Sequence, residues 1–232
     1  MMAELLTRGL PGRHTRFKQT EFGEIPESWK VVRLRDLASV ITKGTTPTTY
    51  VLPYTATGVR FIRVEIITED ADLDLAATKY ISDECHAELS RSQLKPGDLL
   101  FSIAGALGRA AAVPDDLGPA NTNQAVSLVR LHDPAERRFV LWALLGPQVA
   151  QQVGRARAAL AQANLSLAQV GDLQIPMPEL SERPAVAHVL DALCSRVSAE
   201  RERLVGLHQV RTALMSVLLT GEVRVKTHEG PA

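Results

Sequence analysis

At 232 residues with 45% apolar side chains, the chain has room for one large domain, or for a medium domain with an appendage, and its composition is that of an ordinary globular protein. Lysine plus arginine and aspartate plus glutamate stand at 26 each, so whole-chain charge gives no argument for a nucleic-acid partner, and any basic face has to be offset elsewhere. The offset is local: residues 1–67 carry ten basic against six acidic side chains, whereas residues 68–100 carry three basic (Lys79, Arg91, Lys95) against eight acidic.

The start, MMAELLTRGLPGRH, lacks the sustained apolar core of a signal peptide, and no run approaches the roughly 18 apolar residues of a membrane span. Cys85 and Cys194 stand far apart without a CxxC pattern and are expected to be free thiols of a reducing compartment. A soluble, cytoplasmic protein with no membrane partner is the expectation.

In chain order, WKVVRL (29–34) predicts a strand, and LRDLASVITKG predicts a short helix from near Asp36 to Gly44. Residues 44–58, GTTPTTYVLPYTATG, have glycine, proline and many hydroxyls but no period, which predicts a loop; VRFIRVEII (59–67) returns to β-branched strand character. SDECHAELSRSQL begins with Ser82 as an N-cap followed by acids in the first turn, favourable to the helix dipole. KPGDLLFSIAG predicts a turn into a buried strand, AAAVP and NQAVSLVRL two further strands, and ERRFVLWALLGPQVAQQV a helix broken at Gly146 and Pro147. These elements form an α/β (mixed α+β) unit ending near residue 180.

Pro176, Pro178 and Pro184 then stiffen the chain ahead of one long helix, predicted to run to about Thr220 and stop at Gly221. Its apolar residues follow a heptad: Leu190, Leu193, Val197, Leu204, Leu207, Leu214 and Leu218 alternate spacings of three and four, with Glu200 and Arg211 in the two remaining seam positions. At about 1.5 Å per residue the rod is roughly 50 Å long, and a single helix cannot bury its own stripe. In an antiparallel pair of identical helices, setting Glu200 against Arg211 of the partner subunit also sets Leu204 against Leu207, Val197 against Leu214 and Leu193 against Leu218. A slip of one heptad instead puts Glu200 against Leu204 and Arg211 against Leu193. Buried unpaired charges are costly, so the two polar residues select the register of an antiparallel coiled-coil homodimer; packing of the helix on residues 135–153 of its own chain is the competing arrangement.

Catalytic signals are absent: the sequence has no GxSxG, HExxH or P-loop, and none of its six lysines follows an acid by two residues. The six histidines are scattered without ligand spacing, Cys85–His86 is an incidental neighbour pair, and GALG (105–108) is a poor dinucleotide fingerprint. No catalytic residue, cofactor or metal is expected.

Six segments in order, FGEIPESWKVVRLRDL, ITKGTTP, LKPGDLLFSIAGALGRAA, NTNQAVSLVRL, NLSLAQVGDLQIPMPEL and the terminal helix closing in LLTGEVRV, resemble the specificity subunit of type I restriction-modification enzymes. The resemblance implies a target recognition domain that reads one half of a split sequence in double-stranded DNA, and a spacer helix that holds two such domains apart. It also implies that methyl transfer and ATP-driven cleavage belong to a modification methyltransferase subunit and a restriction subunit. Two departures stand out. Each motif occurs once, as in half a subunit, and the usual Glu-Gln pair after the prolines is here Glu182 and Arg183. The expected organisation is an N-terminal extension (1–20), a recognition domain (21–180), a spacer helix (181–221) and a tail (222–232). Two identical chains joined antiparallel are two-fold symmetric and should read a gapped palindrome.

DNA reading calls for lysine or arginine toward phosphates and for side chains that donate or accept toward base edges. Lys43, Thr45, Thr46, Thr48 and Tyr50 lie in the polar loop after the first predicted helix. Arg60 and Arg63 lie on VRFIRV at a spacing that points them to opposite strand faces, and Arg109 follows Gly108. Asn123 and Gln124 have bidentate potential toward adenine, with backbone capping at a strand start as the alternative. A reading of a different class is a dimeric coiled-coil adaptor of a phage-defence complex that binds protein and not DNA.

Overall fold

The computed structural model describes residues 1–47, 52–159 and 164–220. The chain divides into two compact units, Met1–Leu190 and Asp191–Ala232. The described part of the second is the continuation of a single helix. Among the described residues no helix is long and apolar enough to cross a membrane.

The first unit is a mixed α and β fold. Helix α1 (Met2–Arg8) and the hairpin of β1 (Phe17–Thr20) and β2 (Gly23–Pro26) lead to β3 (Lys30–Arg33). A single helical turn, α2 (Leu34–Leu37), then gives way to β4 (Ala38–Lys43). The helix predicted from Asp36 to Gly44 is therefore mostly strand. Val40, Ile41 and Thr42 are β-branched, and pairing with β10 (Val126–Leu131) satisfies backbone that a lone two-turn helix would leave half solvated.

Likewise, the strand predicted over 59–67 stops early: β5 (Val59–Ile62) ends where Val64–Ile66 forms a 3-10 turn that buries Val64 and Ile66. β6 (Lys79–Ile81) and α3 (Asp83–Glu88) follow, and the Ser82 side chain accepts from the Cys85 backbone N–H as the N-cap spacing requires. β7 (Leu99–Ser102), buried at all four positions, β8 (Ala110–Ala112), β9 (Ala120–Thr122) and β10 complete the strands of the centre. The main sheet runs β4-β10-β7-β8, all antiparallel; a second runs β6-β5-β9, with β5 parallel to β9. Ile62, Ile66, Leu100, Val113, Val126 and Leu128 fill one core cluster, and Val59, Phe61, Ile81, Cys85 and Leu89 a smaller one.

The predicted helix break is present: α4 (Arg137–Leu145) ends at Gly146 and Pro147 opens α5 (Pro147–Ala159). Residues Phe139 to Leu144 of α4 are all buried, as befits a helix enclosed on every side. A Cβ on Gly146 would lie 2.6 Å from Leu6 Cδ1, so α1 docks at this break. The N-terminal residues are thus part of the compact unit, with Leu5 and Leu6 buried. Helix α6 (Leu167–Asp172) starts with a capping box of Ser166 and Gln169, and β11 (Gln174–Met177) pairs with β3. Pro176 lies in this two-stranded sheet, where an edge position tolerates its missing N–H.

Helix α7 (Arg183–Leu219) begins at a buried carboxylate. Glu182 is 1% exposed; one of its oxygens accepts from Trp29 Nε1 at 3.0 Å, His14 Nε2 lies 3.0 Å from both, and the Leu10 N–H reaches it at 3.4 Å. A Cβ at Gly9, whose φ is +75°, would lie 2.6 Å from this carboxylate, so the N-terminal turn needs glycine there. Arg183, standing where the resemblance leads one to expect glutamine, donates from Nε to the Pro178 carbonyl at 2.9 Å and ion-pairs with Glu136. Pro184 sits in the first helical turn, where no N–H is needed.

Val186, Ala187 and Leu190 of α7 are buried in the first unit. This corrects the place of Leu190 as a seam residue: at 2% exposure its side chain is already covered by its own chain. Beyond it Leu193 is half-buried, and Val197, Leu204, Leu207, Leu214 and Leu218 are exposed.

Truncating Glu182→Ala strands the Trp29 and His14 donors in a buried site and should lower the urea unfolding free energy by about 3–5 kcal/mol. Gly44→Ala, whose Cβ would fall 1.6 Å from the Thr122 carbonyl oxygen, should cost at least about 2 kcal/mol by the same measurement, because backbone has to move to admit it.

Candidate nucleic-acid interface

Several loops meet at one end of the two central sheets, and backbone hydrogen bonds fix them. Lys43 pairs with Ser127 at the end of β4, and the next residue, Gly44, donates its N–H to the Asn123 carbonyl at 3.1 Å. The Ala125 carbonyl accepts from the N–H groups of Ile103 and Ala104 at 2.8 and 3.3 Å, and the Ile103 carbonyl from Leu165 at 2.9 Å. The polar loop that starts at Gly44 is therefore laid against the turn between β9 and β10. Such anchoring holds side chains in place without using them.

The structure brings five of the expected residues together here. Lys43 is half-buried, Thr45 and Thr46 follow it, and the Thr46 hydroxyl donates to Gln124 Oε1 with Gln124 exposed. Asn123 is a turn-former: its Oδ1 accepts from the Ala125 N–H at 3.2 Å, the capping alternative that the sequence left open. Thr48 and Tyr50 lie outside the described residues.

The arginines divide. Arg60 donates to the Leu117 carbonyl from the middle of β5, so it braces a loop of its own chain. Arg109 donates to the Ile67 carbonyl at 3.1 Å and pairs with Glu69 at 3.6 Å, which ties the β7–β8 connection to the segment after β5. That connection, residues 103–109, contains the GALG stretch and is an ordinary hairpin loop: Gly105 and Gly108 have φ of +71° and +83°, and Ser102 Oγ accepts from the Arg109 N–H at 2.8 Å. Arg63 differs from both. It follows Ile62, which is paired with Thr122, so it stands at the same sheet end as Asn123. Its Nη1 is 3.6 Å from Glu65, and its buried Nε–H has no acceptor.

Two residues not selected from the sequence, Tyr54 and Lys79, lie on the same sheet, Lys79 paired with Phe61 two positions before Arg63. The Tyr54 ring packs on Phe61 with centroids 5.7 Å apart, and Lys79 Nζ lies 4.8 Å from its centroid. Burial pushes the Tyr54 phenol above its ordinary value of 10.0, against a smaller downward pull from the Arg63 charge. It therefore remains a neutral hydroxyl across the physiological range. Tyr54 was visible as an aromatic within a hydroxyl-rich loop; its junction with Lys79 depends on the antiparallel pairing of β5 with β6. Among the described residues no cluster of three or more His, Cys, Asp or Glu has the arrangement to hold a metal ion.

Comparison with known proteins agrees with this architecture. The model of the type I restriction modification DNA specificity domain matches residues 26–209. The type I restriction enzyme MjaVIII specificity subunit of Methanocaldococcus jannaschii is 22% identical over 231 residues, which cover 97% of this chain and 53% of that protein. The putative MjaX specificity subunit of the same organism is 26% identical over 209 residues, 88% of this chain and 48% of the other. Among solved structures, a chain from work on complex assembly and conformational transition of the type I R-M system matches with a TM-score of 0.63 and 18% identity, over 93% of this chain and 50% of that one. The HsdS subunit from Thermoanaerobacter tengcongensis gives a TM-score of 0.58 at 17% identity, over 96% and 50%. These two likenesses speak to the fold. The chain spans about half the length of the curated relatives it matches. With the family model matching residues 26–209, the chain belongs to the type I restriction modification DNA specificity domain family.

Proposed function

We propose that the chain is a non-catalytic, sequence-specific DNA-recognition subunit of a type I restriction-modification system. Two copies join along the exposed seam of α7, read the two halves of a gapped palindrome, and scaffold a modification methyltransferase subunit and a restriction subunit. The observation that carries the DNA reading is the loop cluster at the sheet end. Lys43, Thr45, Thr46 and Gln124 are presented on backbone that is hydrogen-bonded into the sheet, so a cation and base-edge donors and acceptors face outward from a rigid frame.

The dimer rests on the second unit. Val197, Leu204, Leu207, Leu214 and Leu218 are each about half exposed, a row of large apolar side chains that water disfavours and a second copy would cover. Glu200 makes, among the described residues, a solvent-exposed pair with Arg203 of its own chain at 3.7 Å, an interaction weak enough to yield to Arg211 of the partner subunit. Half-length and two-fold pairing agree: two copies would supply the span of the full-length relatives.

Light scattering on the isolated chain should return twice 25.2 kDa, and a monomer would sink the two-fold account. Glu200→Arg should raise the dimer Kd about 100-fold by setting like charges together, and adding Arg211→Glu should restore it; a double variant that stays monomeric means the register is wrong. Lys43→Ala should weaken binding to all duplexes by a similar factor and lower the slope of log affinity against log salt by about one, measured by anisotropy. If wild-type chain shows no duplex binding even at low salt, the protein-binding adaptor takes its place.

A further inference from the structure

We propose that Arg63, together with Lys79 over the Tyr54 ring, forms a contact for a backbone phosphate of duplex DNA beside the Lys43 loop. The inference rests on the DNA-reading function above and assigns a ligand group to a patch separate from that loop.

Three observations carry it. The first is that the arginines around this wall are otherwise engaged with the protein: Arg60 with the Leu117 carbonyl, Arg109 with the Ile67 carbonyl, and Arg130 with both oxygens of buried Asp98 at 2.7 and 2.6 Å. Among the described residues Arg63 makes no such bond: its ion-pair neighbour there, Glu65, is 3.6 Å away and exposed to solvent, and its Nε–H is buried without an acceptor. The Arg63 side chain is 23% exposed while its Nε–H is buried, so an incoming oxygen would meet the terminal nitrogens of a guanidinium that packing already restrains.

The second observation is position. Arg63 follows the last paired residue of β5, and Asn123 follows the last paired residue of β9, on adjacent parallel strands. Asn123 in turn receives the Gly44 N–H. The patch therefore lies on the same sheet end as Lys43, Thr46 and Gln124, with rigid strand between them.

The third is chemistry. Lys79 Nζ stands over the Tyr54 ring at 4.8 Å, Lys79 itself is exposed, and the Arg63 charge acts on the Tyr54 phenol. Guanidinium, ammonium and a neutral phenol supply donors. A phosphodiester offers acceptors and negative charge, which cationic donors answer whatever the base sequence. Two cations at one sheet end match that chemistry.

The test uses the full chain and fluorescence anisotropy with a preferred and an unrelated duplex at several salt concentrations. Arg63→Gln should weaken binding to both duplexes about tenfold and reduce the salt slope by about one, and Arg63→Lys should stay within about threefold of wild type. The exposed Lys79→Ala, which leaves the buried wall untouched, should lower the slope in the same way. Glu65→Gln, which removes the competing carboxylate, should tighten binding about threefold. Wild-type affinity with unchanged variants overturns this inference and leaves the proposed function standing; absence of duplex binding by the wild type overturns both. A loss confined to the preferred duplex means that Arg63 reads a base, and binding of inorganic phosphate that is lost in Arg63→Gln while duplex binding is unchanged means that the patch takes a free anion. Either result rejects the backbone contact.

Discussion

The buried carboxylate of Glu182 is the constraint on which the first unit depends. A carboxylate at 1% exposure needs donors around it, and the donors here come from two separated places: Trp29 before β3, and His14 and Leu10 in the turn after α1. One side chain thereby fastens the N-terminal helix, the strand entry and the first turn of α7. Arg183, the next residue, adds the Pro178 carbonyl and Glu136. The edge-to-face contact of His14 with Trp29, 6.0 Å between centroids, fills the remaining space around the carboxylate. A polar knot of this kind specifies one arrangement more strictly than apolar packing does, because each donor has a direction.

The same principle governs the sheet end. Backbone groups of Gly44, Asn123, Ala125 and Ile103 bond to one another, so the loops hold their shape without the side chains they carry. Glycine is required at 44 because a Cβ there would collide with the Thr122 carbonyl. Side chains at this end separate into those that close the protein on itself, Arg60, Arg109 and Asn123, and those at the loop surface, half-buried Lys43 and the Thr46–Gln124 pair, with Gln124 exposed. Arg63 and Lys79 extend that second set on the neighbouring sheet.

Helix α7 changes character along its length. Val186, Ala187 and Leu190 are core residues of the first unit, whereas from Val197 onward the apolar side chains are exposed. A continuous heptad in the sequence therefore serves two purposes in succession, and the periodicity itself does not mark the change. Burial by the chain's own core removes Leu190 from any surface that a second copy would cover, and the seam available for pairing begins with Leu193.

Much was legible in the residues alone. The order of elements, the Ser82 cap, the helix break at Gly146 and Pro147, and the long terminal helix follow from local chemistry: capping oxygens, a missing N–H, and a repeat of three and four. Local chemistry could not reveal that Ala38–Lys43 pairs with β10 instead of coiling, because a strand's stability lies in a partner some ninety positions away. Nor could it divide the arginines. Arg60 and Arg63 are alike in sequence, and only the pairing of β5 with β9 and the turn at Val64–Ile66 place one against a carbonyl and leave the other's Nε–H unmatched among the described residues. The sequence by itself determined the caps, the helix break and the long terminal helix, since those depend on neighbours along the chain. The tertiary structure decided which charges are engaged and which are offered, since that depends on acceptors brought from elsewhere.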